Sequence, residues 1–435
     1  MTKPLSFDTL RAILTDTFAQ LPDPRTGQNV QYRMQEVALA AFSVFFMQSP
    51  SFLAFQRDMQ RHKGRNNAQS LFGIDQIPSD PQIRNLLDPI APEHLRAPFW
   101  AIVQRLMEDE TVSETFDHDV GWLCSLDGTQ YFSSTTLHCP QCSVTAQDDT
   151  RRYAHTALIP VLSSPESRAV LALEPEFIVP QDGTSKQDCE RRAADRWVER
   201  NASRFDGRQV TLLADDLHCN QPFCERLLAN GLHFILSCKP ESHTTLYEEV
   251  RLLDKIDGVT PCEDRQWTGQ RYERWTYRFV EQVPLRRPPE ALDVNWCELT
   301  ITAEDTQDVI YRNAFVTDHP VNAETVRALV AAGRSRWKVE NEGYNVLKNR
   351  GYHLEHNYGH GEQHLSAVIV MLILLAFLCH TALQLCDQAY QALRAELGPR
   401  RTFFGDLRTL TRYLYFEGWN DLMTFMMRGL DMTPG

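Results

Sequence analysis

Three acidic residues stand where a sequence can place chemistry. Asp127 lies in the run LCSLDGTQYF and is followed by Gly128 and Thr129. Asp215 follows QVTLLA, at the carboxyl end of a short apolar strand pattern, which is the end of an open α/β sheet where sites gather. Glu340 lies in the helical pattern RSRWKVENEGYNVLK. Two strand-end aspartates and a helix glutamate can converge on hard divalent cations. Mg²⁺ prefers a few carboxylates together with water and substrate phosphate. A pair of such ions, for which Mn²⁺ can substitute, clamps the attacking and leaving oxygens of an in-line phosphoryl displacement. Taken singly, each acid reads equally well as a cap, a turn or a surface residue. Their common relation to one sheet is what joins them.

Two neighbours compete for these roles. Asp215 and Asp216 are adjacent, and in an extended segment they point to opposite faces. Glu340 and Glu342 are two apart on a helix and lie on nearly opposite faces. Glu340 has the better company. Arg336, Glu340, Tyr344 and Lys348 recur every four residues and share a face. That face offers a metal ligand with two cations beside it to hold phosphate oxygens.

The elements that must position these residues follow from periodicity. Residues 1–115 read as helical, with apolar spacing over 7–21 that stops at Pro22 and Pro24, a buried run over 34–47, a Ser51 cap and a helix over 94–107. From Asp119 the period changes. Strands are expected over 120–132, 155–162 and 169–179, then a helix over 185–201, a strand over 209–214, a helix over 222–229 and a strand over 233–238. That order is a mixed α/β sheet with flanking helices. Residues 242–307 alternate like half-buried strands around PLRRPP and read as a β-rich insertion. A strand over 308–317, a long helix over 322–348 and another over 365–397 complete the chain. The expected division is 1–115, helical; 116–241 with 308–435, the α/β unit; and 242–307, the insertion.

Composition bounds the partners. The chain has 435 residues, 43% hydrophobic and 23% charged, as in an ordinary globular protein. Its net charge of −13 argues against non-specific coating of nucleic acid. It leaves room for local basic patches, at Arg57, Arg61, Lys63 and Arg65 and over 334–350, of which the first reads equally as a solvated helix end or as a nucleic-acid contact. The 11 cysteines are scattered and no export signal is visible, which fits reduced thiols and a cytoplasmic, nucleoid-associated protein. The apolar run 365–379 is shorter than the ~20 residues of a bilayer span and reads as a buried helix, so no membrane partner is expected.

Three further features carry two readings each. Cys139 and Cys142 in HCPQC are either half of a Zn²⁺ site, completed by His155, Cys189 or Cys219, or a turn with two free thiols. The stretch RGYHLEHNYGHG gathers Tyr352 and Tyr358 with His353, His356 and His360 and reads as a phosphate or DNA contact or as a polar loop; its spacing matches no zinc motif. Trp267, Trp275 and Trp296 read as sheet packing before base stacking.

The segments SLDGTQYFSS, VTLLADDLHCNQPFCERLLANGLHFILSCKP and RSRWKVENEGYNVLKNRGYHLEHNYGHG together resemble the DDE transposases of bacterial insertion sequences. These belong to the ribonuclease H-like, retroviral-integrase superfamily. The likeness runs from Val120 to the end of the chain and is greatest to members with a β-rich insertion between the second Asp and the Glu. It carries the family's three acids onto Asp127, Asp215 and Glu340, and favours Asp215 over Asp216 because the family's acid comes first after the strand. It implies cleavage at the terminal inverted repeats of a mobile element, 3′-hydroxyl strand transfer into target DNA, two Mg²⁺ ions and a homodimer on double-stranded DNA. A nuclease without strand transfer, or a DNA-binding derivative that no longer cuts, are the alternatives. The family's Tyr-Arg-Glu-Lys signature is only partly present. Arg336 and Glu340 match, Gly333 stands at the Tyr position, and Lys348 is one residue late.

Overall fold

A computed structural model describes residues 5–433 apart from 28–29, 61–65, 148–149, 181–188, 206 and 288. Arg61, Lys63 and Arg65 therefore lie outside the described residues. Thirteen strands are described: β1 Trp122–Ser125, β2 Gly128–Ser134, β3 Ser143–Gln147, β4 Thr150–Leu158, β5 Val161–Ser163, β6 Val170–Ala172, β7 Glu176–Ile178, β8 Val210–Ala214, β9 His233–Ser237, β10 Thr260–Trp267, β11 Tyr272–Pro284, β12 Asp293–Ala303 and β13 Val309–Thr317. Nine of them form one sheet in the order β10-β11-β12-β13-β9-β8-β1-β5-β6.

Within it, β6-β5-β1 pair antiparallel, and β1-β8-β9 pair parallel. Three antiparallel strands followed by two parallel ones reached through helices is the ribonuclease H-like arrangement. Helices Glu190–Asn201 and Gln221–Ala229 supply the crossovers into β8 and β9, as parallel pairing requires. Strands β10–β12 continue this same sheet through β13.

Alternation along the strands builds two cores. Leu123, Leu213, Ile235 and Phe315 face one side, under helix Val326–Arg334. Cys124, Leu212 and Phe234 face the other, with Trp197 and Val198 of helix Glu190–Asn201. A period of two sends neighbouring side chains to opposite faces.

The structure divides five expected elements, of which those over 155–162, 169–179 and 365–397 each become two. The continuous strand over 120–132 is two strands in two sheets. The chain leaves the large sheet after Ser125 and enters a four-stranded side sheet (β2-β4-β3, with β7 on β4) at Gly128. Apolar content runs through the switch, so periodicity did not reveal it. The long helix over 322–348 is broken into helix Val326–Arg334, a π-helical turn Val339–Tyr344 and helix Asn345–Asn349.

The N-terminal helices, among them Phe7–Phe18, Met34–Phe46 and Ala97–Glu108, pack around helix Leu365–Cys386. That helix has 22 residues and is long and apolar enough to cross a membrane, but 89% of its most apolar window is buried inside the protein. It ends at Asp387, whose side chain caps the next helix, Gln388–Leu397.

Its amino end is capped from a distant part of the chain. The Asp88 carboxylate accepts N–H bonds from Glu362, Gln363, His364 and Leu365 at 3.0–3.1 Å. An anion there satisfies orphan donors and complements the helix dipole. Burial opposes ionisation of Asp88, but the four amides outweigh it, and its pKa is lowered. A lowered folded pKa gives stability that is present above the unfolded value and lost as pH falls through the folded one. Asp88→Ala is expected to cost about 2–3 kcal/mol at pH 7. In paired chemical melts, the gap between variant and wild type should shrink as pH drops below about 4. A gap independent of pH would remove the charge from this account.

Candidate active site

The pairing of β1 with β8 sets the site. Ser125 lies opposite Leu213, and the Leu126 N–H bonds to the Leu213 carbonyl at 2.8 Å. Continued by two residues, this register brings Asp127 and Asp215 side by side just past the carboxyl ends of neighbouring parallel strands, which run about 4.8 Å apart. Asp127 sits at the point where the chain parts from the large sheet. Its carbonyl is held twice, by the Ile159 N–H at 3.1 Å and by the Tyr344 hydroxyl at 2.5 Å.

The neighbours diverge as an extended chain requires. Asp216 is committed elsewhere, accepting from the Lys239 N–H at 2.7 Å and the Ser242 hydroxyl at 2.6 Å, with His243 at 3.3 Å. Asp215 makes a local turn bond to the Leu217 N–H at 3.0 Å and contributes to the field at Asp127. Glu340 reaches Arg336 at 3.0 Å, and Arg336 stands 3.9 Å from Asp127. Glu342 acts on Lys338 and Arg400 instead.

Glu190 also belongs here, and sequence reasoning missed it. It is the first residue of helix Glu190–Asn201, its carboxylate lies against Gly128, and it bonds His218 at 3.2 Å. A Cβ on Gly128 would come within 2.4 Å of the Glu190 Oε2. The acid at the head of a charged helix resembled any first-turn acid, so only tertiary placement distinguishes it.

The charges are crowded. Burial pushes the Asp127 carboxyl up to about 6, Arg336 opposes this, and Glu190, Glu340 and Asp215 add to it. Carboxylates that resist sharing negative charge are suited to a divalent cation, which relieves both terms. The donor set is all oxygen, as hard Mg²⁺ or Mn²⁺ requires.

The helix signature takes a different form here. The wide turn at Val339–Tyr344 holds one residue more than an α-turn, and π-turns of this kind occur often at functional sites. One residue is also the offset of Lys348. Tyr344 was expected to face phosphate; instead it is buried, and its hydroxyl is spent on the Asp127 carbonyl. Lys348 pairs with Glu355 at 2.7 Å. Gly333 has no room for a side chain, because a Cβ would meet Phe315 at 2.8 Å and Ile235 at 2.9 Å. The helix lies flat on β9 and β13, which excludes the signature's Tyr.

The other sequence features divide. Cys139, Cys142, His155 and His360 come together with their donor atoms within 4.8 Å of one another. Cys189 is exposed, and Cys219 groups with Cys238 and His243. Trp296 is buried, whereas Trp267 is 57% exposed at the end of β10. Arg57 is half exposed and lies 3.4 Å from Asp58.

The fold is that of the ribonuclease H-like class. The family model described as Transposase DDE domain matches residues 168–378, just under half of the 435-residue chain, and supports a DDE-type transposase. The matched span includes Asp215 and Glu340 and begins after Asp127. No curated protein matches the chain.

The crowding at Asp127 has a measurable consequence. Between the unfolded pKa near 3.8 and the folded value of about 6, the folded state holds more protons, so stability falls as pH rises through that window. In metal-free protein, Asp127→Asn is expected to gain about 1–3 kcal/mol over wild type at pH 7 and to lose that advantage near pH 4. Added Mg²⁺ should narrow the gap at pH 7. Thermal melts at the two pH values decide it; a variant less stable than wild type at pH 7 would contradict the crowding.

Proposed function

We propose that this transposase cleaves DNA at the ends of its element and joins the freed 3′-hydroxyl to target DNA, with Asp127, Asp215 and Glu340 as the metal-binding acids. The observation that carries the reading is the lateral pairing of β1 with β8, which sets two aspartates level at adjacent strand ends beside Arg336 and Glu340. Divalent cations, Mg²⁺ in the first place, would supply an activated water and stabilise the phosphoryl oxygens. The chain's own residues position. Tyr344 and the Ile159 amide hold the Asp127 backbone, and with it the carboxylate, against the sheet. Arg336 neutralises Asp127 and Glu340 and offers a planar donor to a scissile phosphate. Preorganised charge of this kind accounts for most of what a protein contributes to phosphoryl transfer.

DNA is held, in this reading, by a basic cleft next to the glutamate helix. A cavity of about 720 Å³ is lined by Arg57, Arg350, Arg394, Arg400, Arg401, Arg408 and Arg412, with Asp58 as the acid at its wall. It joins the helical N-terminal region, the segment after Asn349 and the C-terminal helices. A chain of net charge −13 thus concentrates cations where a phosphate backbone would run. We place residues 1–115 in DNA contact on this ground, with 116–241 and 308–435 as the catalytic unit and 242–307 as its insertion. Two element ends handled in concert require two copies of the chain.

Strand-transfer assays with element-end DNA and Mg²⁺ or Mn²⁺ test the chemistry. Asp127→Asn, Asp215→Asn and Glu340→Gln should each reduce cleavage by roughly 10³-fold or more while leaving DNA binding intact, whereas Asp216→Asn should not. Undiminished cleavage in the three variants would overturn the triad. Cleavage without joining would make the protein a nuclease. The cleft is tested separately: Arg350→Gln/Arg401→Gln should weaken binding on any DNA sequence and lower the slope of log affinity against log salt by about 1–2. An unchanged slope would move the DNA elsewhere.

A further inference from the structure

Four soft donors meet far from the carboxylates. Cys139 and Cys142 lie in the turn between β2 and β3, His155 is on β4, and His360 lies in the segment that follows the glutamate helix. The sulfurs are 3.9 Å apart. His155 Nε2 is 3.5 Å from the Cys139 sulfur and 3.4 Å from that of Cys142. His360 Nε2 is 3.5 Å from the Cys142 sulfur and 3.1 Å from His155 Nε2. A tetrahedral ion bonded at ~2.3 Å to sulfur and ~2.0 Å to nitrogen gives edges of about 3.8 Å (S–S), about 3.5 Å (S–N) and about 3.3 Å (N–N). Five of the six edges match that figure, and the sixth, from Cys139 to His360, lies within 4.8 Å.

The surroundings hold the donors in place. His360 Nδ1 lies 3.0 Å from the Gly361 carbonyl. Donation there fixes the proton on Nδ1 and leaves Nε2 a bare lone pair, the usual state of a metal-ligating imidazole. The ring of His155 stacks on Tyr131, centroids 5.6 Å apart and nearly parallel. Phe132 lies 4.4 Å from the His360 ring. Cys139, Cys142 and His155 are buried.

We infer that Cys139, Cys142, His155 and His360 bind one structural Zn²⁺ ion, which staples the segment after the glutamate helix to the side sheet that begins beside Asp127. Uptake displaces the two thiol protons, and Zn²⁺ remains bound to two thiolates and two neutral imidazoles. Four protein ligands close the coordination shell, so the ion is structural and leaves no open position for a substrate.

The location gives the ion its purpose. Residues 350–364 form no regular secondary structure, yet Tyr352, Leu354 and Tyr358 are buried. A long irregular stretch has few backbone bonds of its own to fix it. Asp88 pins one end at 362–365. The metal would pin His360 to β4, which pairs with β2 from Gly128 onward. Among the described residues, the two other His/Cys/Asp groups, Cys219–Cys238–His243 and His233–Asp318–His319, have three donors each. Their members hydrogen-bond within the protein, His319 to Thr211 at 2.8 Å and His233 to Asp318 at 2.6 Å. The inference does not depend on the catalytic reading.

The test is metal content of the purified full-length chain after dialysis, measured by elemental mass spectrometry. Wild type and Asp127→Asn should carry one more Zn²⁺ per chain than Cys139→Ser/Cys142→Ser, and His360→Ala should bind Zn²⁺ roughly 100-fold more weakly or worse. His360→Cys should restore binding, and the exposed Cys189→Ser should leave it unchanged. Co²⁺ in wild type should show thiolate charge-transfer and tetrahedral d–d absorption that Cys139→Ser/Cys142→Ser lacks. Stripping the metal from wild type needs no variant, and should speed hydrogen exchange of the 352–360 amides by roughly tenfold or more. Equal zinc in wild type and the double variant, or a Cys139–Cys142 disulfide in the protein as isolated, would overturn the site. Unchanged exchange after zinc removal would overturn the staple.

Discussion

The lateral pairing of β1 with β8 is the constraint on which the rest depends. Parallel strands cannot be joined by a tight turn, so the chain must travel away and return before the pair can form. What lies between is the side sheet, the antiparallel strands β5 and β6, and helix Glu190–Asn201. That excursion brings Glu190 into the neighbourhood of Asp127. The acids end level because the strands are in register, and strands in register tolerate no slip when both faces are buried. Leu123 and Leu213 on one face, with Cys124 and Leu212 on the other, lock it.

Holding acids together works against folding, and the structure meets that cost with local ties. The carboxylates around Asp127 repel one another in a partly buried place. Arg336 offsets part of this charge. The backbone is tied down by Tyr344 and Ile159, and the start of the glutamate segment is fastened by Lys338, whose ammonium is buried against the carbonyls of Ser164, Pro165 and Ser167. These ties reach across the sheet to β5 and β6. A break in the helix at Ser335–Arg336 and the π-turn that follows let one segment satisfy both Lys338 and Tyr344. A continuous α-helix would repeat with one angle throughout and would have to give up one of them.

Charge is arranged by the same logic at larger scale. Acids gather at the strand ends and arginines in the cleft beyond Asn349. The excess negative charge of the chain says little about either, because what acts on a ligand is the field of nearby groups, screened beyond about 10 Å at ordinary salt. Arg57, read from sequence as part of a basic run, gains its meaning from Arg401 and Arg408 more than 300 residues on.

The sequence by itself determined the fold class, the strand and helix order from β8 to β9, the burial of the apolar run beginning at Leu365, and the acids worth attention. Those features are local: periodicity, caps and apolar runs are written within a few turns of chain. Tertiary structure alone decided the switch of sheets at Asp127, where an unbroken apolar run hides a change of partner. It decided the split fates of Asp215 and Asp216, since adjacent residues differ only in what each side meets. It decided the π-turn and the absence of room at Gly333, which depend on how closely a helix lies on β9 and β13. Finally, it joined His360 to Cys142 across 218 residues. No spacing rule spans that distance, because the contact is fixed by folding of the whole chain between them.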